Sequence, residues 1–172
     1  MHKSIFSRDR TIYWPEEYDD VVEFLKGSNS ESKSGVFTYN TGIVVLAATI
    51  GLKDKYRKKI EGKRKEIALS TFEEHDLSHY IYLIALASEE KLNLDLMRNE
   101  AGEETAIRIF ESYAAGGLSI LNQRRNTGGL KSPYLFMYDL VTDYGIAAKT
   151  AKSKGSASAY SEIKDIDLDL QF

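Results

Sequence analysis

Apolar positions along this chain recur mostly at helical intervals. Tyr18, Val21, Val22 and Leu25 form an i, i+3, i+4, i+7 stripe, the spacing that lines one face of an α-helix. Pro15 suits a first helical position, Glu16, Glu17, Asp19 and Asp20 suit the positive helix end, and Gly27 supplies a stop. The pattern predicts a first helix from Pro15, after an extended Thr11-Ile-Tyr-Trp14. Val36-Phe-Thr-Tyr39 has strand-like residue types. Ile43-Val-Val-Leu-Ala-Ala-Thr-Ile50 is apolar nearly all round, which predicts a central buried helix capped by Asn40 or Thr41 and leaving at Gly51. Ser70 with Glu73 reads as a capping box for a short helix. A longer helix over about 77–89 should turn Leu77, Tyr80, Ile81, Ile84 and Ala85 inward. Leu92, Leu94 and Leu96 alternate with polar residues as an extended connector or a loose turn.

The longest periodic stretch runs from about Glu103 to Gln123, with Ile107, Phe110, Ala114, Gly117 or Leu118, and Leu121 on one face. Gly116 and Gly117 interrupt it, at a cost of about 1 kcal/mol each relative to Ala. Such a pair is tolerated where another backbone approaches closely or where a helix bends. Close packing or a kink is preferred here to ligand approach, because an isolated Gly pair is not a phosphate-loop pattern. Arg124 to Lys131 reads as a basic turn. Ser132-Pro133 reads as the start of a last helix over 134–144, with Leu135, Tyr138 and Val141 or Leu140 inward.

These elements amount to a mainly α protein: a single compact helical domain of five or six helices with at most a minor β element. Residues 1–10 form a flexible N-terminal arm, 11–145 the helical domain, and 146–172 a linker and an acidic, apolar C-terminal tail. In that tail Ile166, Leu168, Leu170 and Phe172 alternate with polar residues, a pattern able to add a strand to a partner's sheet or to the chain's own fold.

Charge changes this picture at one place. Over 53–66, eight basic residues face three acidic ones, leaving +5 on a protein whose total is −3, so the remainder carries −8. Lys53, Lys55, Arg57, Lys58, Lys59, Lys63, Arg64 and Lys65 form either a phosphate-facing patch or a solvated loop, with Arg124 and Arg125 as extensions if the fold brings them near. No cysteine is present, which removes disulfides, thiolate zinc sites and cysteine nucleophiles. The polar first residues predict no signal peptide and the apolar runs are too short for a membrane span, so the expected location is cytoplasmic. His75 and His79 have the i, i+4 spacing of metal ligands, but the intervening residues are not those of a His-Glu-x-x-His site, and no phosphate-loop, dinucleotide or nucleophile-elbow motif occurs. No catalytic residue, metal or cofactor is expected. A metal-dependent nuclease is the minority alternative.

At Ala47-Ala-Thr-Ile-Gly-Leu-Lys53 and Phe110-Glu-Ser-Tyr-Ala-Ala-Gly-Gly-Leu-Ser-Ile-Leu121 the chain resembles the Dnd system-associated protein 4 family, with support from Trp14-Pro-Glu-Glu-Tyr-Asp-Asp20 and from 72–90. The resemblance covers about 11–130. It implies work beside a DNA phosphorothioation or defence complex and brings no catalytic residues. The combined expectation is a non-catalytic DNA-binding accessory subunit of a prokaryotic anti-phage defence or DNA-modification system, touching the phosphate backbone. Its partner would be a larger defence-system protein such as an ATPase or nuclease, with no membrane and with homo-oligomers allowed. The alternative is an adaptor that recruits that partner through its C-terminal tail.

Overall fold

A computed structural model of the chain describes residue 6 and residues 9–27, 35–88, 93–129 and 131–145. It is mainly α: six α-helices and a two-stranded sheet among the described residues. The chain divides into two units, Met1–Pro133 and Tyr134–Phe172. In the first, β1 (Thr11–Pro15) leads through a single 3-10 turn, Glu16–Tyr18, into α1 (Asp19–Lys26). Then follow α2 (Asn40–Lys53), β2 (Arg64–Ala68), α3 (Leu69–Glu74), α4 (His79–Ala87), a 3-10 turn at Leu94–Met97, and α5 (Glu100–Thr127). A further helix, α6, spans 133–145.

The core is built on α5, which packs most extensively on α2 and next on α4. Its 28 residues make a rod about 42 Å long. It starts at Glu100, three residues before the expected Glu103, because Asn99 Oδ1 accepts a hydrogen bond from Gly102 N at 2.8 Å, the N-cap role that satisfies an orphan donor. Ile107, Phe110, Ala114, Leu118 and Leu121 are buried, as their spacing requires. In α2 the buried positions run round most of the helix, from Thr41 to Gly51. Tyr18, Val21, Val22 and Leu25 are likewise buried, and Gly27, at φ 70°, takes the left-handed conformation that ends α1.

Several local expectations are corrected. Pro15 closes β1 rather than opening a helix, and α1 begins at Asp19. Val36-Phe-Thr-Tyr39 is not a strand, because the Val36 and Phe37 amides donate to Leu25 O at the end of α1 and find no ladder. Ser70 does not cap: α3 begins at Leu69 without a side-chain cap, and Ser70 N instead donates to Asp9 Oδ1. The helix expected over 77–89 begins at His79, so Leu77 lies before it; Tyr82 is buried, while Leu77 and Tyr80 are half-buried. The Leu94–Met97 connector is a 3-10 turn. In α6, Phe136 and Leu140 are buried and Leu135, Tyr138 and Val141 are exposed, so the buried phase runs through the i, i+3, i+7 set that begins at Pro133.

The largest departure is β2, since no strand was expected in the basic segment, read as either a phosphate-facing patch or a solvated loop. It pairs antiparallel with β1 in the register Thr11↔Ala68, Tyr13↔Glu66, Pro15↔Arg64. The other side of β1 is also occupied: Tyr13 N donates to Glu111 Oε1 on α5 at 2.7 Å. The small sheet is thereby fixed to the middle of the long helix.

Candidate functional site

The basic segment is attached to the fold by its main chain. After α2 the chain crosses the middle of α5, where Tyr56 N donates to Gly51 O at 2.8 Å and Lys58 N to Ser112 O at 2.9 Å. A Cβ on Gly116 would overlap the Tyr56 carbonyl oxygen, one on Gly51 would overlap the Tyr113 carbonyl, and one on Gly117 would overlap the Ala47 carbonyl of α2. The two neighbouring glycines thus have separate jobs. Gly117 lets α2 and α5 cross with backbones in contact, and Gly116 seats the loop in the angle between them. Gly51 completes that seat from within α2 and does not mark a helix exit, since α2 continues to Lys53.

The cations hung on this seat fall into two groups. Lys58 Nζ lies 2.9 Å from Glu17 Oε1, donates to the Tyr18 hydroxyl and sits over the Tyr18 ring. Lys65 Nζ meets Asp19 Oδ2 at 2.5 Å and lies over the Trp14 ring. Hydrogen bonds to Tyr18 and then to Glu17 raise the Lys58 ammonium above its ordinary range. Asp19 does the same for Lys65, and Lys58 in turn lowers the Glu17 carboxyl. These two lysines are neutralised.

Lys53, Lys55, Arg57, Lys59, Lys63 and Arg64 are exposed and have no ion pair among the described residues. Two of them are held on aromatic faces. Arg57 Cζ stands 4.5 Å from the Tyr113 ring centre and Arg64 Cζ 4.0 Å from that of Tyr13. Cation–π contact of this kind fixes a guanidinium while leaving its N–H fork open to an anion. Since Tyr13 N is bonded to Glu111, two residues from Tyr113 on α5, the two arginines meet the long helix at the same level along its axis, on different faces of it.

Arg124 and Arg125 are not part of a turn. They lie in the last turn of α5, and Arg125 stacks on Phe24 of α1 at 4.9 Å. Twelve residues separate it from Tyr113, about 18 Å along the helix, so the two arginines form a separate basic spot. Ile166, Leu168, Leu170 and Phe172 lie outside the described residues. His75 closes α3 and His79 opens α4, with Asp76 at φ 57° between them, so they do not share a helix face. Among the described residues no three His, Cys, Asp or Glu side chains converge as metal ligands would.

The sequence signalled the charge of this site but not its partners. Tyr13, Trp14, Glu17, Tyr18, Asp19 and Tyr113 lie forty or more residues from the cations they hold, and only the β1–β2 pairing and the loop's seat on α5 bring them into reach.

Residues 11–140 match the family model described as DNA sulphur modification system-associated protein 4. No curated protein and no solved structure matches the chain. Among the described residues no helix is long and apolar enough to cross a membrane.

Proposed function

The chain belongs to the DNA sulphur modification system-associated protein 4 family, and from that premise we propose that it is a non-catalytic, DNA-binding accessory subunit of such a DNA-modification or defence system. The observation that carries the reading is the set of six exposed cations, Lys53, Lys55, Arg57, Lys59, Lys63 and Arg64, none of them in a salt bridge among the described residues, on a segment fastened by its backbone; Arg64 also acts on the half-buried carboxyl of Glu111. Ammonium and guanidinium groups supply charge and hydrogen-bond donors to phosphate, and no nucleophile. Phosphate contacts position a protein on DNA without reading its sequence. Its working partner in the cytoplasm is a larger protein of the same system, such as an ATPase or nuclease.

Fluorescence anisotropy with a labelled duplex across a salt series tests this. If the segment neutralises four or five phosphates, log K should fall against log salt with a slope of about −4. The combined substitution Lys55→Glu, Lys59→Glu and Lys63→Glu should make that slope shallower by about 3. Charge reversal at Arg98, which pairs with Asp95 on another surface, should leave it unchanged. Binding indifferent to both salt and the triple substitution would refute the proposal.

A further inference from the structure

Beside the sheet lies an open cleft of about 270 Å³, lined by residues that include Thr38, Tyr39, Asn40, Ile67 and His75. Its shelf is aromatic. The Tyr39 ring is stacked on the His75 imidazole with centres 4.0 Å apart, and His75 Nδ1 is hydrogen-bonded to Thr41 Oγ1 at 2.8 Å, which fixes the lower ring. Tyr39 is nonetheless 55% exposed, a large cost-free surface for a second flat ring. Asn40, in the lining, keeps its Oδ1 buried with no hydrogen-bond partner among the described residues, and a buried acceptor left unpaired is unfavourable until a donor reaches it.

The single lysine of the lining, Lys26, pairs with Glu23 at 3.2 Å. A phosphate would therefore meet an already answered charge, whereas an uncharged ring with N–H groups on its edge would meet an aromatic shelf and, once the Asn40 side chain turns its buried Oδ1 outward, an unpaired acceptor. The volume lies just below the range of about 300–1,000 Å³ usual for small-molecule sites and suits one ring system. Ile67 places the cleft relative to the basic segment. It is three residues along β2 from Arg64, about 10 Å, on the opposite strand face from that arginine and on the face of Lys65, whose charge Asp19 answers, so a bound DNA strand would pass round the edge of β2 between the two.

We propose that this cleft takes one unpaired nucleobase of a DNA strand whose phosphates run along the basic segment, with Tyr39 as stacking platform and Asn40 as the edge-reading group. The inference rests on the proposed DNA binding and deepens it from backbone contact to recognition of an unstacked base. Stacking on an aromatic side chain and hydrogen bonding to a base edge are the general means by which proteins hold a base taken out of the helix.

The test compares three probes on the intact protein: a fully paired duplex, the same duplex with one 2-aminopurine opposite an abasic site, and free dAMP. Tighter binding of the second probe than the first is expected, with a change in 2-aminopurine fluorescence. Tyr39→Ala should reduce that preference roughly 5- to 150-fold, the worth of one base–aromatic stack. Tyr39→Phe should keep it, and paired-duplex affinity should be unchanged in both. Asn40→Leu, which replaces the unpaired acceptor with an apolar group, should lose the preference while melting no lower than the wild type. If DNA binds but the preference is absent or survives Tyr39→Ala, the inference is overturned and the proposed function stands. If no DNA binds, both fall. If dAMP alone binds as tightly as the strand, the cleft serves free nucleotides and the strand inference is overturned.

Discussion

At residue scale the glycines of α5 give the sharpest expectations. A Cβ at position 117 would overlap the Ala47 carbonyl, and both groups belong to packed helices that cannot yield separately. Gly117→Ala should cost about 3 kcal/mol or more in urea unfolding, at or above the upper end of ordinary overpacking. At position 116 the obstacle is the Tyr56 carbonyl in a loop, and a loop can lift. Gly116→Ala should therefore cost less stability but speed amide exchange at Tyr56 and Lys58, whose N–H groups hold the loop down. Gly145 has nothing within 4 Å of where its Cβ would lie, so Gly145→Ala is a neutral control. Both core glycines were visible in the sequence as costly and in need of a reason. Which backbone supplied the reason was not, because that depends on approaches between positions 60 and 70 residues apart, Gly116 with Tyr56 and Gly117 with Ala47.

Elements were legible in proportion to their burial. The 28 residues of α5 and the nearly all-apolar α2 declare themselves by periodicity. β2 does not, since Arg64-Lys65-Glu66-Ile67-Ala68 buries no residue fully and has no apolar alternation to detect. It is a strand because β1 offers it a ladder and because Arg64 and Lys65 rest on the rings of Tyr13 and Trp14. Tyr13 is the joint of this arrangement, with its N–H on Glu111 and its ring under Arg64. Tyr13→Ala should keep the N–H bond and the helical far-UV signal while lowering DNA affinity, because the guanidinium loses its support. A comparable loss from Arg64→Ala, and no additive loss in the double variant, would locate the effect in that pair.

At the scale of the whole molecule the carboxylates act on stability in opposite directions with pH. Burial is the main cause that pushes the Glu111 carboxyl above 4.5, so the folded protein keeps this proton after the unfolded chain has released it. Its contribution is then lost as pH rises from about 4.5 through the raised folded value. Glu17, lowered by Lys58, contributes above 4.5 and fades as pH falls through its depressed value. That effect is small, because water screens a pair whose side chains are 37% and 56% exposed. Urea melts should show Glu111→Gln gaining on the wild type as pH increases from 4 to 7 and converging with it in acid. Glu17→Gln should give up its deficit as the solution is acidified.

The loop that bears the cations is held by carbonyls and amides, which every amino acid possesses. Its outward side chains at 53, 59 and 63 are consequently an open alphabet, whereas position 55, at φ 52°, is closed to β-branched residues: a library randomised at those three sites should yield folded proteins of widely different local charge, so that the grip on a polyanion can be retuned without renegotiating the architecture underneath.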